Sequence, residues 1–322
     1  MLNFIWRNLR DYVRTDFRPD LYGATAAWIG LLLIVNYTLN VENGYIDTHQ
    51  SKPVWPVLYF GLYATAYYVA VWLWTHFHRQ TQLWRSRDFW LRSLTALVCY
   101  SVYAGFYAHS AWSRELFNGQ VYVFLYYCLH NLQSALTIVL PLYVFYRLFD
   151  QRRNPSSFYG MAPKRSGLAL YALLLALMVP LITWASFQPD FLRAYPTYHD
   201  TNANEFFGVP EWVTALIYEL CYGWDFVPTE LLFRGFLCIG MARVLRGPSF
   251  RGLVLPMVVW YCAIHFGRPP AEALSSVFGG YLLGVLALST RSIWGGLLIH
   301  IGIAWGMEIA AFWQKWTHDG RG

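Results

Sequence analysis

PTELLFRGFL, residues 228–237, places a glutamate and an arginine four positions apart in sequence that is otherwise apolar. Its flanks, YELCYGWDFV before and CIGMARV after, extend the apolar run over roughly 210–245, long enough to cross a bilayer. Further apolar runs lie at roughly 21–41, 53–76, 89–110, 121–147, 167–187, 252–268, 271–290 and 293–313. The 322 residues are 57% hydrophobic and 19% aromatic. The charged share, 13%, is about half that of a soluble domain. An all-α fold follows: a polytopic transmembrane helix bundle of about 8–9 membrane helices.

The spacing divides the chain into an amphipathic segment at 1–20, N-terminal membrane helices over 21–200 and motif-bearing helices over 210–313, all within one integrated membrane domain. The opening MLNFIWRNLRDYVRTDFRPD interleaves Ile5, Leu9, Val13 and Phe17 with Arg7, Arg10 and Arg14. It reads either as a helix on the membrane surface with its arginines toward anionic headgroups, or as an amphipathic cytosolic leader. Loop charge sets the orientation. The N-terminus, the loop with Arg79, Arg85 and Arg87, and the loop with Arg152, Arg153, Lys164 and Arg165 are basic. The loop with Glu42 and Asp47 and the stretch from Asp190 to Glu211 are not. The N-terminus is therefore expected in the cytoplasm, together with Arg243, Arg246 and Arg251. The 210–245 run then crosses once. Gly223 and Pro228 mark a break between a short approach helix and a second helix carrying TELLFR.

The net charge of +6 sits mainly in these short loops, which excludes a nucleic-acid-binding surface. Cys99, Cys128, Cys221, Cys238 and Cys262 lie in or beside apolar runs without a CxxC pair and read as small buried hydrophobes.

Ionisable groups inside a membrane need a partner or a task. They gather in the last third: Asp225, Glu230, Arg234, His265, Glu272, His300 and Glu308. The earlier apolar runs offer no comparable set beyond His130, Asn131 and Gln133. Glu230 and Arg234 at i,i+4 share a helix face. They form either a structural ion pair or a carboxylate oriented by its arginine to accept a proton. His265 precedes a Pro-Pro break and is either a packing residue or a site residue. His300 lies on a helix whose Gly302, Ala304 and Gly306 give a small-residue packing face. A carboxylate and two imidazoles on three elements suit a general base with an oxyanion donor. As a minor alternative they suit a metal set of Glu230, His265 and His300, although no HExxH segment is present. No metal or cofactor is expected. A transporter is disfavoured by the lack of internal repeats.

TELLFRGFL (229–237), YCAIH (261–265) and FGGYLLGVLALSTRSIWGGLLIH (278–300), the last with a Gly-Gly turn, resemble the three motifs of one family. It is the CAAX prenyl protease 2 / lysostaphin-resistance-protein-A-like family, also called CPBP or ABI intramembrane proteins. The resemblance covers about 210–310. It implies an intramembrane endopeptidase in which a glutamate and a histidine activate water, while a second histidine and an asparagine stabilise the oxyanion. By that resemblance Glu230 and Arg234 match the second glutamate and the arginine, Tyr261 and His265 the second motif, and His300 the third. Two positions depart: Thr229 stands where the family has its first glutamate, and Ala304 where it has asparagine. Loss of one oxyanion donor costs about 10²–10³ in turnover in other enzymes. Glu230 itself, Asp225, Glu308 and the Trp305 indole are the groups that can compensate. The departures also motivate a second reading, a non-cleaving member that binds a membrane peptide or lipid-modified partner, or acts as an immunity or scaffold protein. The partners implied are a membrane-associated peptide or protein and the bilayer, in a multi-pass protein of a bacterial inner membrane. The sequence says nothing about oligomeric state.

Overall fold

The computed structural model describes residues 2–116, 119–152, 157–162, 168–243 and 253–319. Arg153, Lys164, Arg165, Arg246 and Arg251, which entered the loop-charge reading, lie outside these residues. The described residues fold into helices, with no strand among them. Each apolar run carries helix, and five helices are long and apolar enough to cross a membrane: Pro19–Leu39, Trp55–Phe77, Val121–Asp150, Pro270–Thr290 and Trp294–Thr317. The chain divides into two compact units.

The first unit comprises Met1–Phe106, Leu136–Lys164 and Glu230–Ile293. At its centre lies Val254–Ala263, a helix buried at all ten residues. At about 1.5 Å per residue it is half the length a span requires. It is held by packing against Trp55–Phe77, Pro270–Thr290 and Pro19–Leu39. Trp260 anchors it, with ring centroids 5.6 Å from Tyr67, 6.0 Å from Tyr100 and 5.1 Å from Phe233. The Pro270–Thr290 helix approaches through glycine. A Cβ on Gly280 would stand 2.9 Å from the Tyr261 ring, and one on Gly284 2.7 Å from the end of Met257. Gly279 and Gly280 are thus inside a helix and do not form the turn expected from their pairing. The close packing of one helix on another requires Gly280 there, not a change of chain direction.

The N-terminal segment folds as the helix Leu2–Asp16. Arg7, Arg10 and Arg14 are exposed, whereas Tyr12 is buried against Tyr281 of the Pro270–Thr290 helix.

A buried ion pair corrects the expectation that early apolar runs lack a polar set. Arg92 donates from both terminal nitrogens to Asp150, at 2.7 and 2.6 Å, and the Tyr159 hydroxyl donates to the same carboxylate at 2.6 Å. Charges removed from water require such a bidentate, hydrogen-bonded partner. Arg92 and Asp150 are 58 positions apart, so local spacing gave no sign of the pair.

The second unit comprises Tyr107–Ala135, Arg165–Thr229 and Trp294–Gly322. Here Leu168–Ala185 packs along Trp294–Asp319 over the small-residue face foreseen for the last helix. A Cβ on Gly302 would lie 2.6 Å from Leu175, and one on Gly306 3.3 Å from Ile182. Ala304 is buried.

Of the five cysteines, all of them free thiols, Cys99, Cys128, Cys238 and Cys262 are buried and Cys221 is half-buried.

Candidate active site

The 210–245 run folds as Glu211–Trp224, a short helix Phe226–Glu230, and a ten-residue π-helical stretch Leu231–Gly240. The approach helix and the second helix are both present, with the change of element at Asp225 and Pro228 in the first turn after it. The π-helical hydrogen bonding was not legible in the sequence. Such stretches are rare and frequently mark functional sites. All ten residues of Leu231–Gly240 are buried, and Gly235 is required there, since a Cβ would come within 2.7 Å of the Tyr159 carbonyl oxygen.

In the first unit the structure brings together four side chains from two motifs. Glu230 and Arg234 are fully buried and form an ion pair at 3.2 Å. The Arg234 guanidinium stacks over the Tyr261 ring at 4.0 Å, a cation–π contact strengthened by exclusion of water. The Tyr261 ring meets the His265 ring edge-on at 4.9 Å. His265 lies just beyond the Val254–Ala263 helix, half-buried, with Nδ1 2.7 Å from the Tyr261 carbonyl oxygen. A carbonyl only accepts, so Nδ1 carries the hydrogen. In the neutral ring Nε2 is then the acceptor atom. A general base requires that tautomer.

His300 belongs to the second unit, on Trp294–Asp319, where its ring lies 5.7 Å from Phe226. The possible compensating groups of that unit have other engagements. Glu308 is buried and accepts the Thr197 amide at 2.8 Å and the Thr197 hydroxyl at 2.9 Å, which pins the 195–199 segment to the last helix. The Trp305 indole donates to the Glu219 carbonyl at 3.2 Å. Thr229 donates its hydroxyl to the Asp225 carbonyl at 3.0 Å, closing one helical turn. Glu219, whose carboxyl lies near that of Glu308, was overlooked in the sequence, although it too is a carboxylate in an apolar run. Among the described residues no three His, Cys, Asp or Glu side chains gather into a metal-holding set.

Residues 224–306 match the family model described as type II CAAX prenyl endopeptidase Rce1-like. The match takes in Glu230, Arg234, His265 and His300 and none of the first 223 residues. No curated protein and no solved structure matches the chain. The matched segment also contains Thr229 and Ala304, the two positions that depart from the pattern of the family it resembles.

Proposed function

We propose that the protein is an intramembrane endopeptidase that hydrolyses a peptide bond of a membrane-associated peptide or protein. Glu230 and His265 would activate water, Arg234 would hold Glu230 ionised and oriented, and His300 would help bind the developing oxyanion. The observation that carries this reading is the continuous contact from Glu230 through Arg234 and Tyr261 to His265, which ends on a ring whose tautomer suits a base. Water transfers its proton toward the base as its oxygen attacks the carbonyl carbon. The proton returns to the departing amine as the C–N bond breaks. The setting proposed is a bacterial inner membrane crossed by 8–9 helices, with the N-terminus in the cytoplasm.

The test is cleavage of a membrane-anchored reporter peptide, with and without a prenyl group, by the full chain in proteoliposomes, read by mass spectrometry. Glu230→Gln and His265→Ala are each expected to lower kcat by about 10²–10⁴, the range of general acid–base catalysis. Cleavage that survives Glu230→Gln removes Glu230 as the base.

A second reading is favoured by Thr229 and Ala304. Thr229 offers a hydroxyl already donated within its own helix, and Ala304 offers no donor. A member of the same fold that binds a membrane peptide or lipid-modified partner without cutting would retain peptide affinity. It would show no product, and His265→Ala would leave the absence of turnover unchanged.

A further inference from the structure

Three consecutive residues beyond His265 are tied to one short stretch of the first unit, 36–42. The Asn36 side-chain amide donates to the Phe266 carbonyl at 3.1 Å, and its oxygen accepts the Glu42 N–H at 3.1 Å. The Gly267 backbone lies against the Glu42 carboxyl. The Tyr37 hydroxyl donates to the Arg268 carbonyl at 2.7 Å. The approach is close, since a Cβ on Gly267 would stand 3.0 Å from Glu42 Oε1 and 3.4 Å from Asn43 Oδ1.

Asn36 is 4% exposed and Glu42 8%. Burying an amide and a carboxyl is unfavourable unless both are hydrogen-bonded, and apolar side chains would pack there without that requirement. The Asn36 amide bonds the backbone that leaves His265, and its oxygen ties Glu42 to the same place. On the opposite side of His265 the ring bonds back to the Tyr261 carbonyl.

We infer that Asn36 and Glu42 form a clasp that positions His265. By fixing Phe266–Arg268, the clasp sets where the Val254–Ala263 helix ends. It thereby keeps the imidazole seated with Nδ1–H on the Tyr261 carbonyl and Nε2 as the acceptor atom. Neither residue touches a reacting group in this arrangement; both act through the loop. The functional value of the clasp rests on the endopeptidase reading, but the state of the His265 ring is measurable without any cleavage.

The experiment is ¹⁵N-histidine NMR of the full chain in nanodiscs, with His265 assigned by loss of its resonances in His265→Gln. The wild type and Glu42→Gln, whose side chain keeps its size and an oxygen facing Gly267, are expected to show one Nδ1–H tautomer. Asn36→Leu and Glu42→Leu are expected to show averaging between the two tautomers. Their kcat in the reporter assay is expected to fall by as much as about 10²-fold, as small misplacements of a reacting group do, with KM little changed. Tyr37→Phe removes a single hydroxyl from the same clasp and is expected to shift the tautomer ratio in the same direction; it keeps the test usable if the leucine variants do not fold. A wild-type tautomer signature in folded Glu42→Leu and Tyr37→Phe overturns the clasp. Tautomer averaging in these variants, with no cleavage by the wild type, retains the clasp and overturns the endopeptidase reading instead.

Discussion

At the scale of single residues, the buried Glu230–Arg234 pair carries a large energetic consequence. Breaking a buried pair from one side leaves an uncompensated charge and costs about 3–5 kcal/mol, whereas replacing both members by apolar residues is often neutral. Arg234→Met is therefore expected to lower the thermal unfolding midpoint in detergent sharply, and Glu230→Leu with Arg234→Met to recover most of the loss. A double variant as unstable as Arg234→Met alone would mean that Arg234 acts chiefly through its stacking on Tyr261. Glu42 allows a second prediction. Burial first, then the nearby charge of Asp47, pushes its carboxyl up to about 8, against the opposing pull of the Gly267 N–H and Arg268. The unfolded chain releases this proton near the ordinary value of 4.5, so between 4.5 and 8 the folded state holds it more tightly. The stabilisation is complete below pH 4.5 and is lost as pH rises through 8. The midpoint should fall between pH 6 and 9 in the wild type, and the fall should be smaller in Glu42→Gln. Equal slopes in the two proteins would show that Glu42 does not carry the effect.

At the scale of elements, adjacent glycines in Pro270–Thr290 separate close packing from simple flexibility. A Cβ on Gly279 meets nothing within 4 Å, whereas one on Gly280 meets the Tyr261 ring. Gly279→Ala should be neutral or stabilising by up to about 1 kcal/mol through helix propensity. Gly280→Ala should destabilise by about 1–3 kcal/mol through overpacking. In the last helix Gly295→Ala should be the more damaging, because its Cβ would overlap the Tyr171 ring at 1.9 Å. Thermal melts of the three variants decide the order, and a Gly280→Ala protein as stable as Gly279→Ala would show that the Tyr261 ring yields. The same contrast shows what the sequence could reveal. Apolar runs marked each of the five helices of membrane-spanning length, because burial in lipid or core is a property of local composition. The i,i+4 spacing of Glu230 and Arg234 gave their shared face for the same local reason. The Gly-Gly pair was read as a turn because nothing within the helix says that Tyr261 lies opposite. Arg92 with Asp150 and Asn36 with Phe266 were invisible because their partners are 58 and 230 positions away. Only folding brings those pairs together.

At the scale of the whole molecule, the clasp bears on which side of the membrane His265 faces. The 42–49 segment joins Pro19–Leu39 to Trp55–Phe77, two helices of membrane-spanning length and composition in the first unit. The basic 79–87 loop follows the second of these helices and therefore lies at the opposite membrane face. Asn36 and Glu42 hold Phe266 and Gly267 at the 42–49 end, so His265 is at that end as well. If the basic N-terminus and the 79–87 loop are cytoplasmic, the orientation expected from their excess of arginine, His265 faces the non-cytoplasmic half of the bilayer. Lys52→Cys should then react with a membrane-impermeant maleimide in intact cells, whereas Arg87→Cys should react only after permeabilisation. Lys52 is exposed and four of the native cysteines are buried, so background labelling is limited to the half-buried Cys221 and is removed by Cys221→Ser. The reverse labelling pattern would invert the chain in the membrane. It would place His265, and any hydrolysis it supports, on the cytoplasmic side, where the substrate would have to present its scissile bond.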